Sequence, residues 1–454
     1  MTPELRVAII GAGPAGIYAG NILATSVAAD GGHVAIDLIE ALPAPYGLIR
    51  YGVAPDHPRI KGIVNSLHEM LDSGAIRFLG NVTFGVDITL ADLQPCYDAI
   101  IFATGAIRDV QLDIPGVALP GSFGAADFVS WFDGHPDVPR TWPLDATDIA
   151  VVGNGNVALD VARMLAKHGA DLLPTDIPAN VVEGLAGSPV TDVHVFGRRG
   201  PGYIKFTPIE LRELGEIPDV DIVVYEDDFD DEQVAAGSNQ LKIMTRTLRG
   251  WLNREPAGAS RRLHLHFRHT PTEVIGDGRV EAIRFERTRH IGEGQYTGTG
   301  AIIEYPVQAV YRAVGYFGSA LPGLPFDEDR GVIRNTEGRV TGDDGTPIPG
   351  LYTTGWIKRG PVGLIGHTKS DATETISHLR ADLTSRRRTI DADIVNLLET
   401  REIKYTTWEG WLQLDAHERT LGDADESAVT RERIKVVPRS EQVEIARPIP
   451  VAVT

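Results

Sequence analysis

The chain has 454 residues, 43% of them hydrophobic and 23% charged, the balance of an ordinary folded protein and too long for one hydrophobic core to organise. A formal net charge of -19 excludes nucleic acid and anionic membrane surfaces as general partners, because both select for an excess of lysine and arginine. A single cysteine, Cys96, excludes any disulfide framework or CxxC pair within the chain and suits a reducing cytoplasm.

Residues 5–10 (LRVAII) read as a buried strand, and because apolar periodicity begins there, no signal peptide is expected. The apolar stretch from Val7 to Ala29 is interrupted by Gly11, Gly13, Pro14 and Gly16, which argues for a turn followed by a helix over 14–29 and against a membrane span. Gly11, Gly13 and Gly16 stand at G-x-G-x-x-G spacing directly after the strand. In that context the first glycine permits the turn and the second lets a pyrophosphate approach the backbone. The third lets helix pack on strand, and the helix amides meet the phosphate charge.

Val34 to Glu40 reads as the next strand. Glu40 at its end offers a carboxylate to both hydroxyls of an adenosine ribose and repels a 2′-phosphate, so FAD or NAD is expected here before NADP. The plainer alternative is a solvent-facing acid closing a strand. Another apolar run, 99–105 (AIIFATG), ends in glycine, and the first nucleotide fold pauses there.

A second strand, Ile149 to Val152, runs into Gly153, Gly155 and Ala158 at G-x-G-x-x-A spacing, and a helix follows. The strand pattern at 192–200 (DVHVFGRRG) ends in Gly197, Arg198, Arg199 and Gly200, so two guanidinium groups stand where the first fold placed Glu40. Arginine forks suit a 2′-phosphate in charge and geometry, which makes this site NADP-selective unless the pair is simply exposed surface.

The acidic run 226–232 (EDDFDDE) reads as a solvated surface segment, and no metal site is expected, since no ligand spacing supports one. From 301 to 315 the pattern turns strand-like and ends in VYRAVG, echoing IFATG, so the chain crosses back near 315–320. Residues 351–366 combine a short strand with several glycines, a helix continues to about Leu379, and the polar remainder carries no legible motif. The expected fold is α/β, with two Rossmann-like dinucleotide-binding domains. An NADP-binding domain (108–317) is inserted into a discontinuous FAD-binding domain (1–107, then 318–454 with the C-terminal region).

Six segments together resemble the adrenodoxin reductase-like ferredoxin-NADP reductases, particularly their actinobacterial members. They are GAGPAG at 11–16, PYGLIRYGVAPDHPRIK at 45–61, GNGNVALDVAR at 153–163, GRRG at 197–200, PIELREL at 208–214 and GWIKRGPVGLIG at 355–366. The resemblance implies that FAD lies along Ala15, Glu40, Leu48 and Val82, with Trp356, Gly363, Leu364 and Ile365 near its isoalloxazine and ribityl parts. It implies contacts of NADP(H) with Asn154, Gly155, Asn156, Val157, Arg198, Arg199, Glu210 and Gly363, and places His57 and Glu213 close to flavin and nicotinamide.

The implied activity is hydride transfer from NADPH to FAD, followed by single-electron delivery to a ferredoxin-type iron–sulfur protein. His57, between Pro55 and Pro58, is read either as a proton-handling residue or as a structural histidine, and Glu213 is open in the same way. An acidic ferredoxin asks for local basic surface. Lys242, Arg246, Arg249, Arg254, Arg261, Arg262 and Arg268 share one stretch whose only acid is Glu255, while Arg50, Arg59, Lys358 and Arg359 flank the flavin motifs. Competing readings are an NADPH-dependent flavin monooxygenase or diaphorase-type oxidase and, from another class, a flavin-bound redox sensor without turnover.

Overall fold

The computed structural model describes residues 5–229, 238–361, 365–383, 388–390, 392–427 and 429–447. The chain divides into two compact units: residues 1–108, 133–137 and 316–454 form the first, and 109–132 and 138–315 the second.

Unbroken β-branched and aliphatic runs make strands that must be covered on both faces, and the first unit is built that way. Its central strands run parallel in the order Pro347–Thr353, Ala99–Phe102, Leu5–Ile10, Val34–Ile39, Arg77–Leu79, with the short antiparallel Asn335–Thr336 and Arg339–Thr341 at one edge. Along Leu5–Ile10 the pleat sends Val7 and Ile9 into one core with Leu23 and Leu67, and Ala8 and Ile10 into another with Leu79 and Leu351. Helix Pro14–Ala29 packs against helix Ile365–Asp382.

The C-terminal region, blank at the sequence level, supplies helices Ile394–Thr400, Trp408–Asp423 and Arg439–Ala446 to this same unit. They brace the 45–61 segment. Trp411 meets Tyr46 edge-on at 5.6 Å, and the buried Arg50 guanidinium donates to both carboxylate oxygens of Glu418 at 3.0 and 2.5 Å.

The second unit holds a six-stranded, all-parallel sheet in the order Ser122–Gly124, Ala309–Arg312, Asp148–Val152, Asp192–Phe196, Arg261–His266, Val220–Val224. A three-stranded antiparallel sheet, His269–Ile275, Ala282–Gly292 and Gln295–Pro306, belongs to the same unit.

The acidic run is solvated at Glu226 and Asp227, as expected of it, and departs from that expectation at Asp228. Asp228 is only 1% exposed; it accepts the Phe267 amide at 2.8 Å and pairs with Arg287 at 2.5 Å, contacts that compensate the burial of its charge. Asp230, Asp231 and Glu232 lie outside the described residues. No helix among the described residues is long and apolar enough to cross a membrane.

Candidate functional site

In the first unit the three glycines have three different surroundings. Gly11 has φ +109°, and a Cβ there would lie 2.5 Å from the Ala103 carbonyl oxygen; at Gly16 it would lie 2.0 Å from that of Gly11. These two are forced by backbone crossings. Gly13 differs: the nearest atom to a Cβ would be Gly47 Cα at 4.0 Å, so open space remains over the middle glycine, where a pyrophosphate needs it. Helix Pro14–Ala29 begins there with no side-chain cap and no acid in its first turn, leaving its N-terminal amides for an anion.

Glu40 follows strand Val34–Ile39 and is buried. One carboxylate oxygen accepts the Ala12 amide at 2.6 Å and the other the Leu42 amide at 3.0 Å. Burial pushes this carboxyl above its ordinary range, against the pull of those amides. Its remaining lone pairs suit ribose hydroxyls. The buried Val82 donates its amide to the Glu40 carbonyl at 2.8 Å.

Two further segments converge on the glycine loop, and both turn on strained or glycine-only backbone. Tyr46 has φ +83°, its amide reaching the Ala12 carbonyl at 2.8 Å, and a Cβ on Gly47 would come within 3.0 Å of Gly13 Cα. That contact delivers the helix beginning at Leu48. Gly355, at φ +78°, would put a Cβ 2.6 Å from that of Ala15, so the turn carrying Trp356 sits on the loop as well. Asp371 fixes this turn by accepting the Gly355 amide at 2.5 Å and the Thr354 hydroxyl at 3.1 Å, with Lys358 Nζ on its other oxygen at 3.0 Å.

Gly11, Gly13, Ala15, Gly16, Glu40, Leu48, Val82 and Trp356 are thus assembled around one loop. Tyr46 and Gly47 lie in the 45–61 segment that carries the resemblance, which assigns a role to neither; the residue pattern does not mark Asp371 at all. His57 is buried at the start of the short helix Pro58–Lys61, and its carbonyl accepts the Ile60 and Lys61 amides. Gly363 and Leu364 lie outside the described residues, and Ile365 opens helix Ile365–Asp382.

The second unit repeats the construction. A Cβ on Gly153 (φ +150°) would meet the Ala313 carbonyl oxygen at 2.2 Å, whereas nothing lies within 4 Å of one on Gly155. Ala158 is fully buried in the position of the third glycine. Helix Asn156–Ala166, with Val157 in its first turn, starts without a side-chain cap or an early acid, and Asn156 Oδ1 is buried without a hydrogen-bond partner among the described residues. An orphaned acceptor beside open space and free amides fits a bound dinucleotide.

Strand Asp192–Phe196 lies in register beside Asp148–Val152, with Phe196 opposite Val152. Just past it, a Cβ on Gly197 would come within 2.6 Å of Asn154 Nδ2, so only glycine lets Asn154 lie against the strand end. Arg198 is exposed and Arg199 half-buried, with no carboxylate paired to either guanidinium among the described residues. Glu210 and Glu213 share a face of helix Pro208–Leu214, Glu210 buried and Glu213 half-buried.

The expected basic surface is thinner than the residue count suggested. Arg50, Arg261 and Lys358 are buried, and Arg262 is engaged by Asp192 at 2.7 Å. Arg59 and Arg254 stay exposed, and one element gathers its outward cations on a face: Lys242, Arg246 and Arg249 recur at i, i+4 and i+7 on Asn239–Leu252, whose opposite side buries Met244 and Leu248.

Residues 5–355 match the pyridine nucleotide-disulphide oxidoreductase family. NADPH-ferredoxin reductase FprA of Mycobacterium tuberculosis is 38% identical over 457 residues, 97% of this chain and 98% of that protein. The mitochondrial NADPH:adrenodoxin oxidoreductase of Arabidopsis thaliana is 35% identical over 444 residues, 92% of this chain and 91% of that protein. Among solved structures, Mycobacterium tuberculosis FprA in complex with NADPH is similar with a TM-score of 0.89 at 37% identity, covering 97% of this chain and 99% of that one.

Proposed function

The chain belongs to the pyridine nucleotide-disulphide oxidoreductase family, and we propose that within it the protein is an FAD-dependent NADPH–ferredoxin reductase. Hydride passes from NADPH to the flavin, and electrons leave singly to a ferredoxin-type iron–sulfur protein. The observation that carries the reading is an inversion of charge between two otherwise matching loops: Glu40 closes the strand beside one open glycine, and Arg198 and Arg199 close the strand beside the other.

FAD, when bound, supplies the conversion of a two-electron delivery into single electrons. The residues of the chain bind and orient. Glu40 accepts the ribose hydroxyls of the flavin's adenosine, the amides after Gly13 meet its pyrophosphate, and Ala15, Leu48, Val82 and Trp356 line its length. The loop from Gly153 to Val157 holds the second pyrophosphate, Arg198 and Arg199 hold the 2′-phosphate, and Glu210 lies along the same nucleotide. His57 and Glu213 are assigned to proton handling or positioning near the flavin and nicotinamide.

The disulfide relay that the family's name refers to is closed to this chain, because its only cysteine is the buried Cys96. The basic face of helix Asn239–Leu252 supports an acidic ferredoxin as partner. A cytoplasmic site of action is part of the same proposal.

An absorbance spectrum of the purified protein, followed by anaerobic NADPH titration, tests both cofactors at once. One equivalent of NADPH should bleach the flavin bands, and added ferredoxin should then be reduced in one-electron steps. A colourless preparation that cannot be reconstituted with FAD ends the proposal. Rapid oxygen uptake coupled to an organic substrate would mark a monooxygenase instead.

A further inference from the structure

Three histidines that the sequence scatters over 73 positions stand together on one face of the second unit's parallel sheet. In strands Asp192–Phe196 and Arg261–His266 the register sets His264 opposite His194 and His266 opposite Phe196, so Asp192, His194, Arg262, His264 and His266 share a face. Val193, Val195, Leu263 and Leu265, in alternation, fill the other.

We propose that His194, His264 and His266 form a binding site for a divalent transition-metal ion of the zinc class. One ligand nitrogen from each histidine lies within 4.8 Å of the other two, and His194 Nδ1 stands 3.0 Å from His266 Nε2. Three imidazoles around one zinc at about 2.0–2.1 Å need their nitrogens roughly 3.3–3.4 Å apart, between those two distances. The rings are stacked, His194 on His264 at 4.2 Å and on His266 at 5.3 Å, so binding asks for ring rotation together with a tautomer shift, in which the proton of the His194–His266 hydrogen bond moves to the other nitrogen of its own ring and both facing nitrogens turn lone pairs to the ion.

The surroundings are those of a supported ligand set. Asp192 lies 2.8 Å from His264 Nε2, which fixes the proton there and leaves Nδ1 with a lone pair. Arg262 in turn holds Asp192 through two hydrogen bonds at 2.7 and 2.8 Å. The His264 Nδ1 lone pair now accepts the Tyr225 hydroxyl at 2.8 Å, a bond the ion would displace, after which the same oxygen is near enough to be a fourth donor. Tyr305 covers His266 edge-on at 5.0 Å, while His194 is only half-buried and Tyr225 is 36% exposed, which leaves a way in.

The site is independent of the flavin reading. NADPH–ferricyanide turnover can succeed or fail without deciding it. The test is equilibrium dialysis and calorimetry of the chelator-stripped full-length holoprotein with Zn²⁺. Wild type should take up one ion per chain and melt at higher temperature when loaded. His194→Ala and His266→Ala should each weaken binding at least tenfold, and Asp192→Asn, which loosens His264 and the Arg262 pair that holds the carboxylate, by about 10–100-fold. His168→Ala, a half-buried histidine paired to Asp219, should change nothing. Should His266→Ala fail to fold, the half-buried His194 variant and the wild-type stoichiometry still decide. Absence of stoichiometric uptake by wild type, or uptake undiminished in the His194 variant, means that the rings are a hydrogen-bonded stack and overturns the site.

Discussion

The Glu40 carboxylate accepts the Ala12 amide at 2.6 Å, so the acid assigned to ribose recognition also holds the first glycine loop closed. Glu40→Ala therefore removes two things: the proposed ribose contacts and the observed acceptor for the Ala12 and Leu42 amides. A buried amide left unsatisfied costs about 1–3 kcal/mol, which places FAD binding roughly 10–100-fold weaker. The flavin-to-protein absorbance ratio after dialysis measures this. Full retention of flavin by the alanine variant would show that Glu40 closes the strand and nothing more.

Arg198 and Arg199 follow strand Asp192–Phe196 without a carboxylate partner among the described residues, which fits the 2′-phosphate role proposed for them. The double alanine variant should raise KM for NADPH at least tenfold while leaving NADH within about twofold, because charge-assisted bonds of about 1.5–3 kcal/mol are lost only with the 2′-phosphate. Steady-state ferricyanide reduction with both dinucleotides gives the ratio. Equal losses with NADH and NADPH would remove the 2′-phosphate assignment.

The two sites differ from the rest of the molecule in how far they can be read from residues alone. Gly11, Gly16 and Gly153 are legible because a backbone crossing at about van der Waals distance admits only a missing Cβ, and residue type records that directly. Glu40 and the two arginines can be proposed from residues alone because the end of a parallel strand is where such a sheet takes its ligand. Contacts between distant segments leave no such trace. Arg50, expected at the surface beside a flavin motif, meets Glu418 from 368 positions away, and Asp371 reaches Gly355 from the far side of residues 362–364. The histidine triad escaped for a related reason: His264 and His266 alternate visibly on one strand, but sheet register, not spacing, brings in His194.

The Arg50–Glu418 pair gives the C-terminal helices a measurable task. Both side chains are buried, with Glu418 at 0% exposure, so removing one partner strands a charge. Glu418→Ala should destabilise the protein by about 3–5 kcal/mol, the range for breaking a buried pair, and should release flavin early, because the 45–61 segment leans on that helix. Urea unfolding followed by flavin fluorescence reads both effects. A change below about 1 kcal/mol would mean that the pair is dispensable.

Salt dependence separates steering from close contact at the ferredoxin step. Lys242 and Arg246 are exposed on successive turns of helix Asn239–Leu252, and attraction between exposed charges fades within about 8 Å at physiological ionic strength. Lys242→Glu with Arg246→Glu should lower kcat/KM for ferredoxin about tenfold at low salt and leave ferricyanide reduction unchanged. The gap to wild type should close as salt rises. A ferredoxin rate indifferent to ionic strength in the wild-type enzyme would discard this face as the guide.

Asp109 offers a pH signature within the second unit. Both of its carboxylate oxygens lie 3.1 Å from the Ala126 amide, and a Cβ on Gly124 would come within 2.0 Å of one of them. Burial pushes this carboxyl up to about 6, outweighing the amide's pull. Below about pH 4 the group is protonated folded or unfolded and shifts nothing. Between about 4 and 6 the unfolded chain ionises while the folded protein resists, so stability falls as pH rises, and above 6 the loss is constant. Asp109→Asn keeps an acceptor for Ala126 but cannot ionise. Allowing for partial exposure of the group, its stability should fall by about 1 kcal/mol less than that of wild type between pH 4.5 and 7 in urea unfolding. Parallel pH profiles for the two proteins would show that the folded state holds the Asp109 proton no more tightly than the unfolded chain does.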